Sequence, residues 1–373
     1  MKLLWLFIIL KMVDGGQMVE FDTSDTTAFS SYIDCTPNFA TSDKIECKFH
    51  LRNNGQQDYS VLKWRTPLDG LRSNCLTVTS NGKKLQYDGI YLKRSAPGPN
   101  QYLLVKAGQT VSSTFDVSDA YDMTKTGLYS IAVDTYLEYV KGSVTEKPVS
   151  QTKIEHLSSP VVSYEIDKMN FIKGTSGQRA RTEESVTKDA LEDHIFYVKR
   201  GQDLKASLKY KIKGGSPDVK RETELAIVAV YNYVQSAGQD LENNPPRTKT
   251  WFGSSPTDKP KWVFDKMERV LSKDRFAYII GGRECDEDTY AYTTFGARRM
   301  FLCNLYSIAD PLIGYDTKLG IIIHELSHAV ARRDDIVYGQ YSCKQLAIKD
   351  PKAARNNADN YEYFVESGTI SSL

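Results

Sequence analysis

The sequence predicts an α+β protein, with an N-terminal antiparallel β-sandwich-like half followed by a mainly helical half carrying a small antiparallel sheet. Three observations lead there. Up to about residue 167, alternating apolar and polar runs are broken by turn residues, the pattern of short half-buried strands. Residues 168–220 are polar, charged and aperiodic, as a linker is. From residue 221 onward the apolar residues fall at helical spacing. A chain of 373 residues is long enough to bury two separate cores. Its 40% hydrophobic and 25% charged residues are those of a soluble globular protein. Lys+Arg 48 against Asp+Glu 47 leaves no basic excess, so nucleic acid is excluded as a partner.

Taken in order, residues 1–16 predict a signal peptide. Leu3 to Leu10 is an apolar run too short to span a bilayer, and Gly15 and Gly16 offer small residues for cleavage. No later run approaches membrane-spanning length, so an exported protein with no membrane contact after signal removal is expected. Residues 17–167 form the β-rich half. "KIECKFHL" and "GLYSIAVDTYLEYV" alternate, and "NNG", "SNG" and "PGPN" supply turn chemistry. His50 and His156 fit a strand and a polar surface there.

Export makes the six cysteines disulfide candidates. Cys285 and Cys303 flank a predicted hairpin and form the first expected pair. Cys35 and Cys47, in one β-rich stretch, form the second. Cys75 and Cys343 remain, either linking the halves or as two free thiols. Within 168–220 the basic pairs Arg179/Arg181, Lys199-Arg200 and Lys220-Arg221 mark a processing region or a plain solvated connection.

The second half, 221–373, opens on a helix in "ETELAIVAVYNYVQSAG", with Leu225, Val228 and Ala229 on its apolar face. A second, "KPKWVFDKMERVL", starts at Pro260 and aligns Val263, Met267 and Val270. Three short strands follow in "RFAYIIGG", "TYAYTTFG" and "RRMFLCNLY". Next comes a long helix, "DTKLGIIIHELSHAVARR", capped by Asp316 or Thr317, and a last helix follows Asn357.

Within that long helix, residues four apart share a face, so His324 and His328 can present imidazole nitrogens to one metal ion. Glu325 is placed to act as general base on a water at the metal, for attack on a peptide carbonyl. The third ligand is open at this level. Ala331, Asp334 and the lack of any methionine beyond Met300 depart from a three-histidine site with a Met-turn. The remaining candidates are Glu362 or Glu366 from the last helix, and Asp334 or Asp335 just past the metal helix. Asp359 and Glu362, three apart near a helix start, have the pattern of a capping box.

"HELSH" followed by "RRDDIVYG", with "RTKTWFG", the Cys285/Cys303 region and "DPKAARNNADNYEYF", resembles the deuterolysin (aspzincin) family, and within it the peptidyl-Lys metalloendopeptidases. The resemblance implies a zincin-type catalytic domain holding one zinc ion on His324, His328 and Asp335. It makes Glu325 the base and Tyr338 the stabiliser of the oxyanion, where spacing alone would equally suit a packed tyrosine. Asp359 and Glu362 become a doubly anionic pocket for lysine just after the scissile bond. "LLVKAGQTVSSTFDVSDAYDMTKTGLYSIAV" resembles a propeptide, implying a secreted zymogen whose N-terminal half packs on the catalytic half and assists folding. Protein and peptide substrates are the implied partners. Arg332-Arg333 depart from the family's Gly-Thr, and a cysteine usual near the start of the mature domain has no counterpart between residues 168 and 284. Two other readings stand beside this one. They are an endopeptidase using Glu362 or Glu366 as third ligand without lysine preference, and a non-catalytic secreted binding protein.

Overall fold

The computed structural model describes residues 19–21, 28–35, 45–146, 152–166, 194–200, 203–254 and 258–370. The expected signal peptide and most of the expected processing region lie outside these residues. No helix among the described residues is long and apolar enough to cross a membrane.

The N-terminal half is built of sheets. The long strand Gly127–Lys141 buries alternate residues and pairs antiparallel with Tyr59–Leu62, Leu76–Ser80, Thr152–Ser158 and Val162–Ile166. A three-stranded antiparallel sheet (Phe29–Cys35, Glu46–Asn53, Thr110–Asp116) packs against it. Phe29, Phe49 and Leu51 of the small sheet share one core with Ile131, Leu137 and Tyr139 of the large one. Period-2 burial on both sheets is what the alternating sequence predicts. Cys35 and Cys47 are bonded, as expected.

The C-terminal half is helical over a six-stranded sheet. Helix Pro217–Asn243 starts at Ser216, whose hydroxyl accepts from the Val219 amide. Its buried face is Ala226, Ile227, Val230, Tyr231 and Val234, rotated from the expected one, and Leu225 points to solvent. Both stripes have helical spacing, and the bulk of Ile227 and Tyr231 selects which packs inward. Helix Asp258–Lys273 buries Val263 and Met267 as the spacing predicts.

The sheet order is His194–Arg200, Asp203–Lys213, Arg275–Ile280, Arg299–Leu302, Thr289–Thr294, Ile90–Arg94. Two expectations need correction. The sheet is mixed, because Asp203–Lys213 with Arg275–Ile280, and Arg275–Ile280 with Arg299–Leu302, pair in parallel. A long helical crossover between the first two strands requires this, and short-range pattern carries no trace of it. The strands at 194–200 and 203–213 also fall in the stretch expected to be linker; Leu204, Ala206, Leu208, Tyr210 and Ile212 alternate with polar residues, a period-2 signal that the high charge of the stretch outweighs.

Helix Lys318–Ala331 runs through the centre and is buried on nearly every side, as a helix apolar all round must be. Thr317 caps it, its hydroxyl accepting from the Gly320 amide at 3.0 Å, a contact worth about 1 kcal/mol. The helix ends on Arg332 in the left-handed region (φ 52°), where glycine is the usual residue. This explains the departure from Gly-Thr in physical terms. The Arg332 guanidinium donates to the Tyr87 carbonyl and to Asp88 of the N-terminal half, and stacks 3.6 Å over the Phe295 ring. These contacts offset a backbone cost of about 1–2 kcal/mol.

Against this helix lies the last one, Ala358–Ile370, at a close approach that needs Gly320, since a β carbon there would collide with Glu366 Oε1. Helix propensity alone predicts that Gly320→Ala stabilises the fold by about 1 kcal/mol. The packing predicts a loss of about 1–3 kcal/mol instead. A denaturant titration reads the sign, and the expected outcome is a lower midpoint.

Candidate functional site

The helical spacing brings His324 Nε2 and His328 Nε2 to 2.9 Å of each other. Asp335 Oδ1 lies 3.1 Å from the first and 3.2 Å from the second. The three form one buried group of metal-ligating atoms. A tetrahedral ion with bonds near 2.0–2.1 Å has ligand–ligand edges of about 3.3 Å, so these donors fit zinc with small adjustments. Neither Asp335 oxygen has a well-formed hydrogen bond, which leaves the carboxylate available to an ion. His328 Nδ1 bonds the Arg333 carbonyl, which directs its lone pair at Nε2 into the group. Burial opposes the charge on Asp335, but His328 and His324 outweigh it and hold the carboxyl well below its usual range.

Asp334 is turned elsewhere. Its oxygens accept from Asn74 and Asn356 at 3.2 and 2.6 Å, so Asp335 is the neighbour that faces the histidines. Glu366 accepts from the Thr317 amide and hydroxyl at 2.9 and 2.8 Å, tying down the start of the metal helix. Glu362 approaches His324 on the Nδ1 side, away from His328. Neither glutamate joins the two histidines in one group with Asp335.

Glu325 sits beside His324 with both oxygens buried and short of a full hydrogen bond. Burial first, then Asp335, pushes its carboxyl well above the ordinary range. His324 and the nearby Lys93 backbone N–H oppose the shift. The Tyr338 ring lies 6.5 Å from the His324 ring, and its hydroxyl donates to the Leu92 carbonyl at 2.7 Å. Gly339 follows at φ 82°, a conformation open to glycine, and its amide donates to Asp359 Oδ2 at 2.8 Å.

Asp359 and Glu362 come together as expected, and with them a residue the sequence did not mark. Lys93, only 1% exposed, places Nζ 2.9 Å from each of Asp359 Oδ1, Glu362 Oε2 and Asp316 Oδ1. The bonds of Asp359 and Glu362 run to Lys93, His324 and Gly339 and do not form a capping box. Burial would strip the Lys93 charge, but the three carboxylates outweigh it and raise the ammonium well above its usual value. Asp359 Oδ1 also lies 2.8 Å from His324 Nδ1, so one carboxylate orients a candidate metal ligand and holds a lysine. His324, Asp359 and Glu362 make a second group of ligating atoms. The ammonium already fills it, so the first group is the better metal site.

Lys93 and Asp316 were the residues missed. Lys93 sits at the basic end of "IYLKR", where a lysine ordinarily reaches solvent, and Asp316, just before the long helix, has the pattern of a cap alone. Cys285 and Cys303 are bonded as expected, and their cluster includes Leu92, Tyr292 and Phe301. Cys75 and Cys343 are free and separately buried.

Known proteins share this arrangement's sequence. Residues 237–366 match the aspzincin family, described as lysine-specific metallo-endopeptidase. A peptidyl-Lys metalloendopeptidase of Pleurotus ostreatus is 32% identical over 157 residues, covering 39% of this chain and 92% of the relative. The chain belongs to the aspzincin family. An extracellular protease of Aeromonas hydrophila is 28% identical over 338 residues, 88% of this chain and 89% of that protein. A peptidyl-Lys metalloendopeptidase of Grifola frondosa is 27% identical over 340 residues, 86% and 88% of the two chains. The aspzincin reading makes this protein a metalloendopeptidase, and the metal of the family is zinc.

The two neighbouring aspartates give a direct test. Asp335→Asn is expected to lose stoichiometric zinc, measured on dialysed protein by atomic emission, while Asp334→Asn keeps it. Retention of zinc by the first variant would remove Asp335 from the ligand set.

Proposed function

We propose that this protein is an exported, zymogen-type zinc endopeptidase that cuts peptide chains on the N-terminal side of lysine. The observation that carries the reading is the buried lysine ammonium held 2.9 Å from Asp359 and Glu362, one residue beyond a carbonyl bonded to Tyr338. The names of the Pleurotus and Grifola relatives support lysine recognition, and that of the Aeromonas relative supports export.

Zinc on His324, His328 and Asp335 would supply Lewis acidity, lowering the pKa of water and polarising the substrate carbonyl. The chain's own groups do the rest. Strand Thr289–Thr294, whose outer side is paired with Ile90–Arg94 in this structure, is the one along which an extended substrate would add to the sheet in that strand's place. Asp359 and Glu362 take the lysine side chain and so fix which peptide bond reaches the centre. Glu325 accepts the proton of the attacking water and can return it to the departing amine. The Tyr338 hydroxyl donates to the carbonyl oxygen, a bond that strengthens as negative charge grows there.

The test is a cleavage map. The zinc-loaded, processed enzyme digests an unrelated denatured protein, and mass spectrometry assigns the new N-termini. Lysine is expected to dominate them, and termini indifferent to lysine would defeat the pocket. Glu325→Gln is expected to lower kcat about 10²–10⁴-fold at unchanged zinc content. Tyr338→Phe is expected to lower kcat about 10²–10³-fold with little change in KM. Glu362→Gln is expected to cut the preference for lysine over norleucine at least about tenfold, the worth of one charged hydrogen bond.

A further inference from the structure

The strand Ile90–Arg94 belongs by sequence to the N-terminal half, yet it forms the edge of the catalytic sheet, antiparallel to Thr289–Thr294. Each residue of its centre meets a group with a task in hydrolysis. The Tyr91 ring stacks on His328 at 4.4 Å. The Leu92 carbonyl accepts from Tyr338 at 2.7 Å, and the Leu92 side chain packs with Tyr292, Phe301 and Cys303. The Lys93 ammonium fills the acid cluster. Carbonyl to tyrosine and the next side chain to acids is the register of a substrate whose bond before lysine is at the centre.

We propose that Ile90–Arg94 is a built-in substrate-like inhibitor, with Leu92–Lys93 lying where a substrate's scissile bond lies and Asp316 serving as a third acid of the lysine pocket. This rests on the lysine reading above and extends it to regulation. The site is closed by this strand and its neighbours. His324, Glu325 and His328 have no exposure in the intact chain, and Trp64 packs edge-on against Tyr338 at 5.8 Å. Both ends of the strand are anchored. Gly89 leads in from Asp88, which binds Arg332. On the far side Arg94 pairs with Asp69 at 2.6 Å and lies over the Trp64 ring. A strand tethered in this way competes at high effective concentration with any free peptide. A substrate reaches the acids and Tyr338 once this strand leaves.

The test uses the full, zinc-loaded chain carrying Glu325→Gln, so that nothing is cut. The probe is a fluorescent peptide copying residues 88–97, and binding is read by anisotropy. The chain with Lys93 intact is expected to bind at least tenfold more weakly than the same chain with Lys93→Met. A probe with norleucine for lysine is expected to bind neither. Equal binding of the lysine probe to both chains would overturn the inhibitory strand. Lys93→Met leaves three carboxylates facing one another, so a second chain adds Asp316→Asn to reduce their repulsion. If neither variant folds, hydrogen exchange on the Lys93 chain decides. Excess lysine probe must raise exchange across 90–94 and the norleucine probe must not, and unchanged exchange would defeat the proposal. A cleavage map without lysine preference would instead defeat the pocket reading, so the two failures are told apart.

Discussion

Asp359 is the carboxylate on which the rest of the site depends. One oxygen meets both the Lys93 ammonium and His324 Nδ1, and the other accepts from the Gly339 amide. Three segments are therefore held by one side chain: the N-terminal edge strand, the long buried helix and the turn carrying Tyr338 that follows it. Isolated, such a buried charge costs several kcal/mol, and it persists because its partners surround it completely. Its dual contact joins the Lys93 ammonium to the orientation of His324. On the proposed reading, a substrate lysine at Asp359 would touch that same group.

The centre of this arrangement rests on a helix with no solvent face. Gly320 lets Ala358–Ile370 approach, Thr317 closes the first turn, and Glu366 bonds the Thr317 amide and hydroxyl. Two carboxylates of one helix, Glu362 and Glu366, thus serve different ends of the neighbouring helix. Their spacing of four places both on the same face. The candidate ligands His324 and His328 stand on a framework that cannot shift without disturbing a core.

Much of this was legible in the chain itself. His324, Glu325 and His328 are set by helical spacing, a short-range property that survives any tertiary context. The pairs Cys35–Cys47 and Cys285–Cys303 follow from proximity in sequence along strands. The choice between Asp335 and Asp334 does not, because it turns on the direction in which the chain leaves the left-handed Arg332. Residues 93 and 359 are 266 positions apart, and nothing local relates them. The parallel strand pairs were hidden for the same reason: a crossover is a property of the path, and alternation is a property of the strand. Leu225 illustrates a subtler limit, since two apolar stripes of one helix compete and only the packing partner chooses between them.

The sulfur chemistry has a consequence for how the two halves can part. Cys35–Cys47 closes within the N-terminal half and Cys285–Cys303 within the C-terminal half. Cys75 and Cys343 stay as thiols, each sealed in a different core, with burial pushing both up in pKa and so away from the reactive thiolate. The peptide backbone is therefore the sole covalent thread between inhibitor and enzyme. On the proposed reading, one cut along the connecting stretch would turn a tethered competitor into a free one, which dilution could remove without any reductant.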